Sequence, residues 1–323
     1  MKTQSPINSG FNASSTAAQV LAGVNLVGKT AIITGGHSGL GLESTKALAA
    51  AGVNVIVGAR NVAAAEKNLN GVPNVTVKAL DLSNLDSVEG FSADIIDSKV
   101  RVDMLICNAG IMACPETRVG PGWESQFATN HVGHYVLTNL IWNALNDNAR
   151  VVCVSSAGHH LSPIRWDDIH FTKEPYDKWV AYGQSKTANA LFALQLDEYG
   201  KERNIRAFSL HPGKIFTPLQ RHLKTEEMIE AGWLDKEGKP ADPTFKTPEQ
   251  GAATQVWAAT SPKLNDFGGL YCEDCEIAKP ASAYEEKFWG VCDYAVDLAE
   301  AQKLWEFTAE LTGVNAFSAS HVC

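Results

Sequence analysis

Short apolar runs alternate with longer mixed segments along most of this chain. The runs are four to six residues long, most are rich in Val and Ile, and polar or Gly-containing turns bound them. Such runs are typical of strands that are buried on both faces of a sheet. They lie at residues 30–34, 53–57, 75–80, 102–106, 150–154, 205–210 and 269–272.

The segments between these runs include several of helical length and composition. Helices are predicted at 42–51, 61–69, 123–145 and 176–199, and a shorter one at 15–22 capped by Ser14 or Ser15. Strands alternating with helices indicate a parallel sheet covered on both faces. The alternation passes the middle of the chain without an internal repeat. We therefore predict one doubly wound α/β domain at 28–323, with about seven parallel strands, preceded by an N-terminal extension at 1–27.

Two segments interrupt the alternation, at 158–175 and 218–248. Long insertions after the carboxyl ends of strands usually form substrate walls or lids. We predict a lid at about 218–248, with a helix at 225–231; a fixed packing element or an oligomer contact is the alternative for this segment. Its apolar residues suggest one helical face above the ligand, formed by Leu219, Leu223, Met228 and Ile229, with Trp233 and Leu234 at the rim.

Charge and composition exclude several classes of binding partner. The net charge of −9 leaves no basic surplus for nucleic acid or an anionic membrane. No apolar run approaches the roughly 20 residues of a membrane span, and the first residues do not resemble a signal peptide. We expect a soluble, cytoplasmic protein that acts on a small molecule; a homo-oligomer remains open.

One cysteine pair and one histidine pair have residue types that bind metal ions. The Cys272–Cys275 spacing is that of half a zinc site, but no second pair matches it, and we interpret it as a strand end near the surface. His159 and His160 have no evident third ligand and are interpreted as loop packing. No metal is predicted.

The stretch TGGHSGLG at 34–41 joins the first strand to the first long helix. Glycines at 35, 36, 39 and 41 allow a tight turn, close approach of the backbone to a ligand, and close packing of helix on strand. A helix N-terminus that follows such a turn binds phosphate groups. This stretch therefore predicts a dinucleotide site.

Arg60 follows the second strand, where the adenosine ribose of a dinucleotide is expected. NAD enzymes place an acidic residue there to hold the 2′-hydroxyl, and Ala59 offers none. A guanidinium suits the 2′-phosphate of NADP, to which Ser38 can add a hydroxyl. We predict that NADP(H) is preferred over NAD(H).

Tyr182 and Lys186 are four residues apart on a predicted helix, so they share one face. A nearby ammonium favours the phenolate and lowers the pKa of a tyrosine toward the working range of an acid/base. Ser156 closes the fifth strand and can donate to a carbonyl oxygen. Asn130 is a poor helix former inside a predicted helix and invites a local distortion, whereas His131 and His134 beside it are interpreted as structural.

In combination, these motifs resemble the short-chain dehydrogenase/reductase superfamily, and most of all its retinol dehydrogenase-like branch. Cys107 departs from the pattern because Asn is usual there, a change expected to alter packing more than chemistry. The motifs are TGGHSGLG at 34–41, GAR at 58–60, LDL at 80–82, CNAG at 107–110, NHVGH at 130–134, VSSAGHH at 154–160, YGQSK at 182–186 and HPGKIFT at 211–217.

The resemblance implies a Rossmann-type fold and a role for each motif. Tyr182 would be the general acid/base and Ser156 would orient the substrate carbonyl. Lys186 would hold the nicotinamide ribose and lower the tyrosine pKa, and Asn130 would support a water that relays protons to Lys186. The implied cofactor contacts are Gly35, His37, Ser38, Gly39, Leu40, Gly41, Arg60, Asp81, Leu82, Asn108, Ala109, Gly110, Tyr182, Lys186, Pro212, Gly213, Ile215 and Thr217.

The sequence therefore predicts an NADP(H)-dependent carbonyl reductase or alcohol dehydrogenase for a fairly apolar ketone, aldehyde or alcohol. A non-catalytic NADP-binding sensor or scaffold is the alternative from another class, although a sensor needs no acid/base tyrosine. A sugar-nucleotide epimerase or dehydratase would share the Tyr and Lys but favours different glycine spacing.

Overall fold

A computed structural model of the chain describes residues 3–318. Its centre is an eight-stranded sheet, and the predicted α/β class is confirmed. The strands are β1 (Thr30–Thr34), β2 (Asn54–Ala59), β3 (Val75–Ala79), β4 (Val102–Cys107), β5 (Leu145–Val154), β6 (Arg206–His211), β7 (Leu270–Glu273) and β8 (Glu276–Ile277).

The strand order is β3-β2-β1-β4-β5-β6-β7-β8, and all neighbours are parallel except β8, which returns antiparallel to β7. In this register Ile32 of β1 lies between Ile56 of β2 and Leu105 of β4. The order reverses between β1 and β4. Ligands of doubly wound sheets bind at such a reversal, outside the carboxyl ends of the strands.

Helices cover both faces of the sheet. The longest, α6, begins after Asp177, whose carboxylate accepts hydrogen bonds from the amides of Trp179 (2.8 Å) and Val180 (3.0 Å). The helices are α1 (Ala17–Val20), α2 (Gly39–Ala50), α3 (Val62–Asn68), α4 (Leu85–Asp97), α5 (Gly133–Leu140), α6 (Lys178–Gly200), α7 (Thr225–Glu230), α8 (Ala253–Thr260) and α9 (Leu298–Thr312), with two short unnumbered helical segments at Ser125–Phe127 and Pro248–Gly251.

Two apolar cores follow from this layering. One packs α4, α5, α6 and α9 against the sheet, with Tyr135 fully buried at its centre. The other packs α1, α2 and α8 against the opposite face, around the fully buried Trp257. Because both faces are covered, the strands need apolar residues on each side, which explains their continuous apolar runs.

Several predicted elements differ from the structure. The predicted helix at 123–145 begins at Ser125, contains a π turn and ends at Leu140, while β5 starts at Leu145, five residues before its prediction. The first helix begins at Ala17 and is capped by Thr16, not by Ser14 or Ser15. The helices α4, α8 and α9 and the strand β8 carried no prediction.

The N-terminal segment packs along the β7–β8 edge of the sheet. The Gln4 side chain donates to the carbonyls of Tyr271 (3.1 Å) and Ala278 (3.0 Å) and accepts from the Tyr271 amide (2.9 Å). Glu276 accepts from the amides of Ile7 and Ser9, both at 2.7 Å. Side-chain hydrogen bonds from both partners thus join the N-terminal segment to this edge of the sheet.

Cys272 and Cys275 do lie at a strand end, but the interpretation that this end is near the surface is wrong. Both side chains are buried, because β7 turns directly into β8 and the turn is covered by the core around α8. Burial raises the pKa of both thiols.

The insertion at 218–248 stands outside the main sheet. It is tied down by a two-residue parallel ladder between Lys214–Ile215 and Phe245–Lys246. The predicted single helical face is wrong: Leu219 belongs to a short 3₁₀ turn that ends at Leu223 in extended conformation, and Met228 and Ile229 lie on the separate helix α7. Within residues 3–318, no helix has the length and apolarity that a bilayer crossing requires.

Candidate active site

The carboxyl ends of β1 and β4 are joined through the hydroxyl of Thr34. This oxygen accepts hydrogen bonds from the amides of Asn108 and Ala109, each at 3.0 Å. The Asn108 side chain donates in turn to the Thr34 carbonyl at 2.9 Å. These bonds fix the floor of the crevice where the strand order reverses.

The glycines of the turn above this floor are required by its geometry. Gly35 and Gly39 have positive φ angles of 66° and 53°. A Cβ on Gly41 would lie 2.4 Å from the Gly35 carbonyl oxygen and 2.6 Å from Asn108 Nδ2. Only glycine allows this packing of α2 on the turn.

Polar groups on this turn fit a phosphate-bearing dinucleotide. Ser38 is the N-cap of α2 but makes no capping hydrogen bond with its side chain, so amides of the first helical turn are not satisfied by it. His37 Nδ1 is buried and has no hydrogen-bond partner within residues 3–318. An anion at the helix N-terminus would use such groups.

Other predicted cofactor residues follow the carboxyl ends of strands at the same edge of the sheet. Arg60 is exposed just after β2, and the carboxylate of Asp81 after β3 accepts from the Ser83 amide (3.0 Å) and hydroxyl (2.6 Å). Thr217 lies next to the glycine turn, since a Cβ on Gly39 would be 3.4 Å from Thr217 Cβ. Of the other predicted cofactor residues, Leu82 follows β3 in the chain, and Pro212, Gly213 and Ile215 follow β6.

The predicted distortion at Asn130 is confirmed as a π turn over Ala128–Val132. The Asn130 amide pairs with the backbone of Ile111, accepting from its N–H at 2.8 Å and donating to its carbonyl at 2.9 Å. It also donates to Ser185 Oγ at 2.9 Å. The side chain of Asn130 is thus occupied in joining three segments of the site.

Lys186 is buried on α6, and its Nζ donates to the Val154 carbonyl at 3.0 Å. Burial lowers the pKa of this ammonium to about 8, because desolvation disfavours the charged form. Gly110 comes close to it: a Cβ there would lie 3.6 Å from Nζ.

Tyr182 lies one helical turn before Lys186, with Nζ 5.5 Å from the centre of its ring. Burial raises the pKa of Tyr182 to about 12, and the Ser156 hydroxyl beside it acts in the opposite direction. A lowering by Lys186, which the sequence led us to expect, is not seen. The ammonium is itself desolvated, and removal of the phenolate from water is the larger effect.

Ser156 follows β5, and its Oγ accepts from the Gly158 amide at 3.0 Å. A serine hydroxyl that accepts in this way keeps its own hydrogen for another acceptor. A Cβ on Gly158 would lie 2.7 Å from Tyr182 Cε1, so glycine allows the loop to approach the ring. The structure therefore brings all four predicted catalytic residues together.

An apolar wall adjoins Tyr182. The buried side chains of Met112 and Ala113 pack with Tyr182, and Trp179, Leu219 and Leu223 pack against them. Leu219 and Leu223 come from the insertion, as predicted. Met112 and Trp179 carried no prediction, although Trp179 stands three residues before Tyr182 and therefore on the same helical side.

Comparison with known proteins fits this geometry. The family model described as short chain dehydrogenase matches residues 29–228. The chain belongs to the short-chain dehydrogenase/reductase family. It is an oxidoreductase of the kind that acts on CH–OH and C=O groups with a nicotinamide cofactor.

Individual relatives of this short-chain dehydrogenase/reductase match over most of their length. A probable oxidoreductase of Streptomyces antibioticus is 43% identical over 295 residues, which are 88% of this chain and 97% of the relative. Human retinol dehydrogenase 14 is 33% identical, with 89% and 87% covered, so the predicted branch is confirmed. A crystal structure of an uncharacterized Mycobacterium paratuberculosis protein, 31% identical, covers 94% of this chain and 98% of its own with a TM-score of 0.71.

The interpretation of His159 and His160 as lacking a third ligand needs correction. Cys292, distant in sequence, brings a third potential ligand atom within 4.8 Å of the other two. Both His159 nitrogens are already used, since Nδ1 contacts the Ser156 carbonyl at 2.7 Å and Nε2 accepts from the Cys292 amide at 3.1 Å. In this dehydrogenase/reductase the histidines hold the loop after β5.

The glycine turn at 34–41, hereafter the glycine cradle, gives a first prediction. Gly41→Ala forces a Cβ against the Gly35 carbonyl and Asn108, and should weaken binding of the nicotinamide dinucleotide at least about tenfold because the turn must shift. Isothermal titration calorimetry measures this. Gly90→Ala on α4, where nothing lies within 4 Å of the added Cβ, is the matched control and should leave affinity unchanged. Equal affinities for the two variants would contradict the cradle.

Proposed function

We propose that the protein is an NADP(H)-dependent carbonyl reductase or alcohol dehydrogenase that acts on a fairly apolar ketone, aldehyde or alcohol. The observation that carries this proposal is the meeting of Tyr182, Ser156 and Lys186 beside the glycine cradle. A bound nicotinamide dinucleotide supplies the hydride that is exchanged with the carbonyl carbon. The residues of the chain supply the proton and the orientation.

In the direction of reduction, the Tyr182 phenol gives its proton to the carbonyl oxygen as charge develops there. The Ser156 hydroxyl donates a hydrogen bond to the same oxygen and holds it near the phenol. The raised pKa of Tyr182 keeps the phenol protonated at neutral pH, which favours its use as an acid. The positive charge of Lys186 stabilises the phenolate that remains.

The apolar wall supports the substrate class. Met112 and Ala113 present buried apolar surface next to Tyr182, and Trp179 lies edge-on to its ring with centroids 6.3 Å apart. Trp233 of the insertion lies edge-on to Trp179, also at 6.3 Å. Such walls bind apolar and aromatic groups. The match to a retinol dehydrogenase is in keeping with an apolar alcohol or carbonyl compound.

The same packing supports a role for residues 218–248 as a substrate lid. Leu219 and Leu223 contact the wall, and α7 is tied to α6 by an ion pair between Glu227 and Lys178. A closed lid would exclude water from the hydride transfer. We retain the lid at 218–248 as part of the proposal.

The preference for NADP(H) rests on Arg60. Its guanidinium is exposed at the end of β2 and forms no ion pair within residues 3–318, so it is free to meet a 2′-phosphate. The alternative function, a non-catalytic sensor, gives no reason for a phenol and a serine hydroxyl to be held together beside the cradle.

Replacement of Tyr182 tests the chemistry. Tyr182→Phe keeps the ring but removes the transferable proton, so kcat for reduction should fall at least about 100-fold while NADPH affinity stays near normal. Turnover is followed by NADPH absorbance on a panel of ketones and aldehydes. Tyr135→Phe is the control, because this phenol is bonded to the Val314 carbonyl in the core and should be dispensable for turnover. A Tyr182→Phe enzyme with most of its kcat would exclude the proposed acid.

Replacement of Arg60 tests the cofactor preference. The wild type should favour NADPH over NADH in kcat/KM, and Arg60→Ala should reduce that ratio roughly tenfold or more, because a charge-assisted bond to phosphate is lost. The change should lie mainly in the KM for NADPH. Lys67→Ala, another exposed cation on the neighbouring α3, should leave the ratio as it was. Equal use of both cofactors by the wild type would refute the preference.

A further inference from the structure

His134 links the π turn at Ala128–Val132 to the glycine cradle. Its ring is buried at the start of α5, and both nitrogens have partners. Nε2 lies 2.8 Å from the hydroxyl oxygen of Thr34, and Nδ1 lies 2.9 Å from the carbonyl oxygen of Asn130. One side chain therefore connects the end of β1 with the π turn.

The direction of these hydrogen bonds follows from Thr34. Its hydroxyl oxygen already accepts from the amides of Asn108 and Ala109. A hydroxyl has two acceptor positions and one hydrogen, so the remaining hydrogen points to His134 Nε2. Nε2 is then the acceptor, and Nδ1 carries the ring proton and donates to the Asn130 carbonyl.

The ring is neutral under ordinary conditions. Burial lowers the pKa of His134 to about 4, and the positive charge of Lys186 acts in the same direction. The ring thus lies near the Lys186 ammonium, and repulsion between two positive charges disfavours a protonated His134. A neutral imidazole of fixed tautomer is what the two contacts require.

The bonded carbonyl belongs to a distorted backbone. In the π turn the Gly133 amide bonds to Ala128, five residues back, so the usual i→i−4 ladder is shifted. Such a wide turn needs additional polar partners to hold one shape. The Asn130 side chain is fixed by Ile111 and Ser185, and His134 fixes its carbonyl.

We propose that His134 is a positioning residue for catalysis: its Nδ1–H holds the Asn130 carbonyl, and with it the π turn, in the catalytic position, while Thr34 fixes the tautomer that carries this hydrogen. The proposal rests on the proposed function, because it assigns His134 to the same reaction. His134 acts through Asn130 and does not itself exchange a proton with substrate.

A neighbouring histidine provides the contrast. His131 is also buried, but its Nε2 contacts Thr308 Oγ1 of α9 at 2.9 Å. That hydroxyl donates to the Leu304 carbonyl at 2.8 Å, so His131 is the donor and its link runs away from the cradle. His131 therefore controls for the loss of a buried, hydrogen-bonded imidazole from the same turn.

Two substitutions separate positioning from packing. An Asn side chain reaches the Nδ1 position, and Asn139 of the same helix already bonds the carbonyl four residues back at 2.9 Å. His134→Asn should therefore keep the hydrogen bond to the Asn130 carbonyl and lose the one to the Thr34 hydroxyl. His134→Gln reaches toward Thr34 instead and should lose the bond to Asn130.

The expected result is a difference in kcat at saturating NADPH and substrate. His134→Gln should lower kcat about tenfold or more, and His134→Asn should stay within about threefold of the wild type, with little change in KM for either. His131→Gln should lower thermal stability but not kcat. Equal kcat values for His134→Asn and His134→Gln would overturn the proposal.

A second measurement needs neither activity nor these variants. In ¹⁵N-histidine NMR spectra of the free protein, with the His134 signal assigned by its loss in a variant, the ring should be the neutral Nδ1–H tautomer between pH 5 and 9. A neutral Nε2–H tautomer, or a titration near pH 6.5, would overturn the proposal. Failure of the proposed function would appear separately, as full turnover in Tyr182→Phe.

Discussion

The burial of Lys186 is the constraint on which the site depends. An ammonium held among strand ends and helices loses water, and its hydrogen bond to the Val154 carbonyl compensates only part of that loss. The pKa of Lys186 accordingly falls to about 8, close to the working range of an enzyme. Burial also keeps the neighbouring Tyr182 and His134 neutral in the free protein, and for His134 the charge of Lys186 acts in the same direction.

The fold places this charge by ordinary packing. Helix α6 is buried along most of its length between the sheet and α9, so Tyr182 and Lys186 point to the carboxyl end of the sheet with little freedom. Gly41 packs α2 closely on the glycine turn, and Gly110 brings the backbone after β4 close to Asn130 and Lys186. Hydrogen bonds from Thr34 and Asn130 fix the distance between the two sides. Small residues and buried polar bonds together determine the shape of the crevice.

Much of this arrangement was readable from the sequence, and the exceptions have physical reasons. Continuous apolar runs predicted seven strands, and the i, i+4 spacing put Tyr182 and Lys186 on one face. Strand β8 has two residues and no periodicity to detect. The sequence also does not show which distant segments come together. Cys292 lies beside His160, and Thr34 beside His134, only because of how the chain folds. The raised pKa of Tyr182 required knowledge of its burial, because spacing alone suggested only the effect of the lysine.

The pH dependence of carbonyl reduction tests the role of the buried ammonium most directly. Single-turnover rates with saturating NADPH would be measured from pH 6 to pH 10. The pKa of Lys186 is lowered to about 8, so its charge is present below that pH and lost above it. The rate should be level at lower pH and fall as the pH rises through about 8, and Lys186→Arg should remove this fall because the guanidinium stays charged. A wild-type rate that stays constant, or increases, up to pH 10 would contradict the account.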